Sequence, residues 1–143
     1  MAPNPAVGKR TVILVGFSVI FLAAAAAVVF SLGSWNAPAA VRGLQNPVPA
    51  TESAVDEGMF VYSQHCKGCH GENGDGKGER AGELAVMPSD FTDARQMSHL
   101  SDGELFWKIT HGRRPMPAFG DKLTETQRWQ VVDYIRTFAK PAH

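Results

Sequence analysis

The sequence predicts an all-α protein: one N-terminal transmembrane helix, a linker, and a head of three or more short helices. Three observations predict it. Residues 11–32 carry no charge. The head shows apolar residues at helical spacing behind two capping boxes, with no convincing alternating strand. That head, about 93 residues rich in glycine and proline loops, has a thin core, and such a domain needs a staple.

Composition alone hides this segregation. The chain has 143 residues, 14 Lys and Arg against 14 Asp and Glu, and two cysteines. A hydrophobic fraction of 44% and a charged fraction of 20% argue against wholesale disorder. Two cysteines exclude a disulfide-dense scaffold. A net charge of zero argues against nucleic acid as a partner.

The first element is Thr11 to Leu32. As a helix it is roughly 33 Å long, enough to cross a hydrocarbon core of about 30 Å. A cleaved signal peptide has a shorter apolar run, of about 7–15 residues. Ala37-Pro38-Ala39 resembles a cleavage site, but the run before it is too long for that class. Lys9 and Arg10 precede the span, and the next charge is Arg42. The positive-inside rule therefore leaves residues 1–10 in the cytoplasm and sends the rest across. Ala23, Ala27 and Ser31 form a small-residue stripe that suits close packing in a bilayer.

Residues 33–50 read as a linker, with Pro38, Pro47 and Pro49 and no sustained hydrophobic period. No helix or strand is expected there. Proline makes such a segment extended and semi-rigid, with a reach of at most about 60 Å.

The head is residues 51–143. Ala54 to Gln64 reads as a first helix. Ser101 to His111 reads as a second: Ser101 and Glu104 make a capping box, Leu105 and Ile109 lie one turn apart, and Gly112 suits the stop. Thr124 to Ala139 is the third. Thr124 and Gln127 make its capping box, Val131, Val132, Ile135 and Phe138 fall at helical spacing, and Pro141 follows. Gly71 to Met97 is expected to be largely irregular.

Between the first two helices stands Cys66-Lys67-Gly68-Cys69-His70. This is the attachment signature of c-type haem. Two cysteines three apart at a helix end reach the two vinyl groups on one side of a porphyrin. The histidine that follows is carried to the iron. Thioether bonds make the haem permanent, so one covalently attached haem is the expected staple. A structural zinc site wants four ligands, and there is no second cysteine pair. A thioredoxin-like redox pair wants a βαβ setting, which is absent.

From about Thr51 to Ala139 the chain resembles a class I monohaem cytochrome c. The resemblance rests on Gly58-Met59-Phe60-Val61-Tyr62 before the haem motif and on His70-Gly71 after it. Gly74-Asp75-Gly76-Lys77-Gly78, the capped helix at Ser101, Pro115-Met116-Pro117, and the last helix with Trp129 and Tyr134 complete it. It implies the class I cytochrome c fold around one haem. It covers nearly the whole head and none of the anchor or linker. Cytochromes of this class acquire haem on the outer side of the bacterial membrane, where the charge rule sends the head.

Met116 is the expected sixth ligand. It lies 46 residues after His70, far enough to reach the opposite haem face. Pro115 and Pro117 make the segment that presents it extended and stiff. The resemblance to the family's methionine loop points the same way. Met87, also before a proline, is the rival, although packing beside the haem suits it better. Met59 and Met97 read as core or surface. His99 or His111 would make a bis-histidine haem, although His111 suits a helix C-terminus. His65 and His143 look exposed.

The resemblance implies further roles. Pro88 stands where the family has a proline whose carbonyl accepts the His70 ring N–H, which fixes the ring. Trp107, Arg95 and Arg113 are candidates for the haem propionates. Gly58 and Tyr62 are expected to cross Trp129 and Tyr134.

A His/Met iron has both axial positions filled, so the expected function is electron transfer. The alternative is a haem enzyme or gas sensor with an open sixth position. Residues 52–104 hold 11 acids and 4 bases, and residues 105–143 hold 7 bases and 3 acids. Arg113, Arg114 and Lys122 near Met116 would suit an acidic partner. The expected partners are a membrane-embedded redox complex, respiratory or photosynthetic, or another cytochrome, with the lipid bilayer held through residues 11–32. The expected location is the bacterial inner membrane, single-pass, with the haem head on the periplasmic side.

Overall fold

The computed structural model describes residues 35–139. The expected transmembrane segment 11–32, the expected cytoplasmic segment 1–10 and His143 lie outside them. Among the described residues no helix is long and apolar enough to cross a membrane. One compact unit begins at Ala37.

Its helices are α1 (Ala39–Arg42), α2 (Glu52–His65), α3 (Lys67–His70), α4 (Ala94–Ser98), α5 (Asp102–His111) and α6 (Glu125–Phe138), with one 3-10 turn at Ala81–Glu83. No strand occurs among the described residues, only an isolated bridge between Arg113 and Met116. The all-helical expectation therefore holds for the head.

The three long helices start where their caps dictate. The Thr51 hydroxyl accepts from the Ala54 amide at the head of α2. Both expected capping boxes form, Ser101 with Glu104 and Thr124 with Gln127. Each satisfies amides that the first helical turn leaves unpaired. The apolar stripes then face inward. Leu105 and Ile109 of α5 are buried, as are Val131, Val132 and Ile135 of α6. Burying each such side chain stabilises the fold by about 1.5–3 kcal/mol.

Helices α2 and α6 cross at Gly58. A Cβ there would stand 2.0 Å from the Gln130 carbonyl oxygen, so only glycine admits the approach. Tyr62 packs edge-on to Tyr134 at 5.3 Å and tilts against Phe138 at 5.4 Å. Trp129 stacks on Phe106 of α5 at 4.1 Å, within the same core cluster as Tyr62. Gly58→Ala should cost about 2–3 kcal/mol, an overpacked core contact. Thermal melting of the haem-loaded protein would then fall by roughly 10–20 °C; an unchanged midpoint would contradict the crossing.

The stretch before α2 departs from the expectation of a featureless linker. Residues 39–42 form a helical turn, and Ala37 is buried. Gly103 of α5 leaves room for the Val41 carbonyl, which a Cβ would meet at 1.9 Å. Asn46 Nδ2 donates to Asp133 Oδ1 at 2.7 Å and to the Trp129 carbonyl at 3.3 Å. Side-chain hydrogen bonds and a glycine contact, not hydrophobic periodicity, hold this strap against α5 and α6. The region expected to be irregular also contains α4, capped by Asp93, which accepts from the Arg95 and Gln96 amides.

Candidate haem site

Helix α2 delivers the haem motif. The Cys66 amide continues the ladder to Tyr62, and the Cys69 and His70 amides both donate to the Cys66 carbonyl. One turn of helix thus presents Cys66, Cys69 and His70 in order. The glycine loop then folds back over this turn. Gly76 N donates to the His70 carbonyl at 2.8 Å, Gly78 N to Cys69 at 3.1 Å, and Arg80 N to Gly68 at 2.8 Å. Positive φ angles at Gly71, Gly74 and Gly76 make this reversal possible. The buried Tyr62 hydroxyl closes it, donating to the Gly71 carbonyl at 2.7 Å.

The His70 ring is fixed from two sides. Phe91 stacks on it at 4.6 Å, with the planes 17° apart. Its Nδ1 lies 3.3 Å from the Ser89 carbonyl oxygen, long for such a bond. A carbonyl only accepts, so Nδ1 carries the proton and the Nε2 lone pair is left for a metal. This corrects the expected role of Pro88. Its carbonyl lies against Gly76, where a Cβ would meet it at 2.7 Å, and the next carbonyl along faces the imidazole. Burial also lowers the His70 pKa, against the opposing pull of Ser89, which favours the neutral ring that binds metal.

Cys66 and Cys69 are free and half-buried. Burial, helped by Cys69, pushes the Cys66 thiol up to about 12, opposite to an activated redox cysteine. No group of three His, Cys, Asp or Glu among the described residues converges on a metal point. This donor set suits an iron that arrives with four porphyrin nitrogens and asks the protein only for axial ligands. Val86 and Met87, just before Ser89, are 62% and 65% exposed, apolar surface that a porphyrin would cover. The residues present therefore fit a covalent haem.

Met116 is half-buried and packs against the core. Its segment is a tight turn, not the extended stretch expected from its prolines. The Arg113 and Met116 backbones exchange hydrogen bonds of 3.0 and 2.8 Å, around a cis Arg114–Pro115 bond. Met97 is core, at 1% exposure, and Met59 lies on the surface. His65 is exposed, as expected, and so is His99, the candidate bis-histidine ligand. His111 ends α5, with Nδ1 2.9 Å from the Trp107 carbonyl and its ring stacked on Trp107. Arg95 and Arg113 are exposed. Sequence reasoning missed Ser89, whose part is played by a backbone carbonyl and leaves no signature. It also missed Phe91, for which an aromatic shortly after the glycine loop was the available signal.

The family described as "Cytochrome C oxidase, cbb3-type, subunit III" matches residues 53–135. The chain belongs to this family of cytochrome c domains. The cytochrome domain binds a covalent c-type haem with iron and serves electron transfer. Its relatives include the "Cbb3-type cytochrome c oxidase subunit FixP" of Azorhizobium caulinodans, 30% identical over 68% of this chain. The match spans only 31% of that longer protein. Cytochrome c6 of Petalonia fascia is 24% identical over 57% of this chain and 88% of its own. The solved structure of the KustC0563 c-type cytochrome superposes with a TM-score of 0.52 at 33% identity, covering 58% of this chain and 98% of that one.

The cytochrome domain carries an alkaline limit in Tyr62. Desolvation holds its phenol well above the ordinary value, and the charges of Tyr134 and Asp75 add to this. The folded state thus keeps its proton longer than the unfolded chain. Stability is complete below about pH 10, the ordinary phenol value, and falls as pH rises beyond it. Tyr62→Phe should flatten that alkaline limb in denaturant titrations across pH; an unchanged limb would contradict this.

Proposed function

We propose that the protein is a membrane-tethered electron carrier whose iron is held by His70 Nε2 and Met116 Sδ. Residues 11–32 anchor it as a single span in the bacterial inner membrane, and the haem head works on the periplasmic side. It serves as a subunit, or a tethered donor or acceptor, of a membrane redox complex.

The observation that carries this reading is the imidazole. Phe91 and the Ser89 carbonyl hold the ring with one nitrogen committed to the protein, which leaves the other available to a metal. Such orientation raises ligand basicity and fixes the axial bond. Met116 supplies a soft, neutral ligand that favours Fe(II) and raises the potential. With both axial positions filled, the electron is the only thing exchanged. The uncharged run and the cations before it support the tether. A tether replaces free diffusion by high local concentration. The oxidase subunit among the relatives supports a redox complex as partner.

The test is purification of the full chain in mild detergent. The reading predicts that it partitions with membranes and copurifies with an integral membrane oxidoreductase. Recovery of the haem-loaded chain in the soluble fraction without detergent would overturn the tether; recovery from membranes alone would overturn the permanent subunit.

A further inference from the structure

The Met116 segment is built as a closed loop, and one buried cation closes it. At its entry Gly112 sits against Pro117 and Ala118; a Cβ there would meet the Ala118 nitrogen at 2.5 Å. At its exit the Phe119 amide donates to the Ile109 carbonyl at 3.1 Å, and Gly120 N to Thr110 at 3.0 Å. These bonds use carbonyls that the end of α5 leaves unpaired. Beyond them stands Arg128. Its Nη1 donates to the Gly120 carbonyl at 2.8 Å and to the Leu123 carbonyl at 2.7 Å. Its guanidinium lies 5.1 Å from the centre of the Phe106 ring.

No ion pair among the described residues accounts for a cation here. Arg128 is 9% exposed, and no carboxylate pairs with it among the described residues. Its Nε is buried without a partner. It sits in the first turns of α6, where the helix dipole disfavours positive charge. A buried, unpaired guanidinium is expensive unless its hydrogen bonds are needed. One of those bonds goes to the Gly120 carbonyl at the exit of the Met116 loop, and the other ties it to Leu123 just before α6.

We propose that Arg128 is the positioning residue that keeps the Met116 loop closed over the iron. The inference rests on Met116 being the sixth ligand. An incoming ligand binds only the opened state, so its apparent affinity measures the open fraction.

The test is imidazole titration of the oxidised, haem-loaded protein, followed by loss of the methionine-to-iron charge-transfer band. Arg128→Met fills the space but cannot donate. It should bind imidazole about tenfold to a hundredfold more tightly than the parent, since the charged hydrogen bond to the Gly120 carbonyl and its brace to Leu123 are lost. Arg136→Ala is the control. Arg136 donates to Asp102 and to the Met97 and Leu100 carbonyls, outside this loop. It should lower the melting temperature yet leave imidazole affinity within about threefold of the parent. Equal affinities in Arg128→Met and the parent, or an equal gain in both variants, would overturn the proposal. If Arg128→Met yields no haem-loaded protein, Arg128→Lys replaces it. Its ammonium ends short of the Nη1 position from which Arg128 reaches both carbonyls, and an affinity gain of at least about threefold is then expected, parental affinity overturning the proposal. Absence of the charge-transfer band in the parent would instead remove the Met116 reading itself.

Discussion

Replacing Cys66 and Cys69 together with serine should produce a chain that carries no covalent haem and shows no cooperative melting. The reason lies in the fold. Helices α2, α5 and α6 bury a real but small core. Between α3 and α4 the chain is mostly loop, held by hydrogen bonds to the haem-motif turn itself. Val86 and Met87 stay exposed in the polypeptide alone. A head of this size lies near the lower limit for an unaided core. The thioethers also keep the haem from ever leaving, as a disulfide keeps two segments together. Haem staining on denaturing gels and circular dichroism during heating measure both effects. Haem that survives denaturing electrophoresis in the double variant would contradict the attachment. A single sharp melt at the parental temperature would contradict the stapled fold.

Met116→Ala is the second large effect. The covalent haem should remain, because the thioethers and His70 do not depend on this side chain. The reduction potential should fall, by on the order of a hundred millivolts or more, once water or hydroxide replaces the thioether. The reduced iron should then bind carbon monoxide. Potentiometric titration and a carbon monoxide difference spectrum would read both changes. A parental potential in the variant would mean that the sulfur never reaches the iron.

The parts of the head that depend on side-chain chemistry were legible in the residues. Ser101 with Glu104 and Thr124 with Gln127 announce helix starts because their side chains satisfy amides three residues away. Cys66, Cys69 and His70 announce haem because the spacing matches the porphyrin. Parts made by backbone carbonyls were not legible. The partner of His70 is the Ser89 carbonyl and not that of Pro88, and a one-residue difference in which carbonyl turns inward leaves no trace in residue type. The strap at Ala37 to Val48 escaped for a similar reason. Part of its hold on the head is Asn46, an amide that reads as an ordinary loop residue. Of the seven bases in residues 105–143, Arg128 and Arg136 spend donors on carbonyls inside the head. What remains near Met116 is Arg113, Arg114 and Lys122, all exposed.

The central claim is that His70 and Met116 together occupy the axial positions of one covalent haem, leaving the electron as the only traffic. An absorption spectrum of the purified, unmodified protein tests it most directly. The oxidised form should show a methionine-to-iron charge-transfer band, and the reduced form should be unchanged by carbon monoxide. A missing band together with carbon monoxide binding would contradict the claim and would place an open iron, and a ligand-binding or catalytic role, in this head.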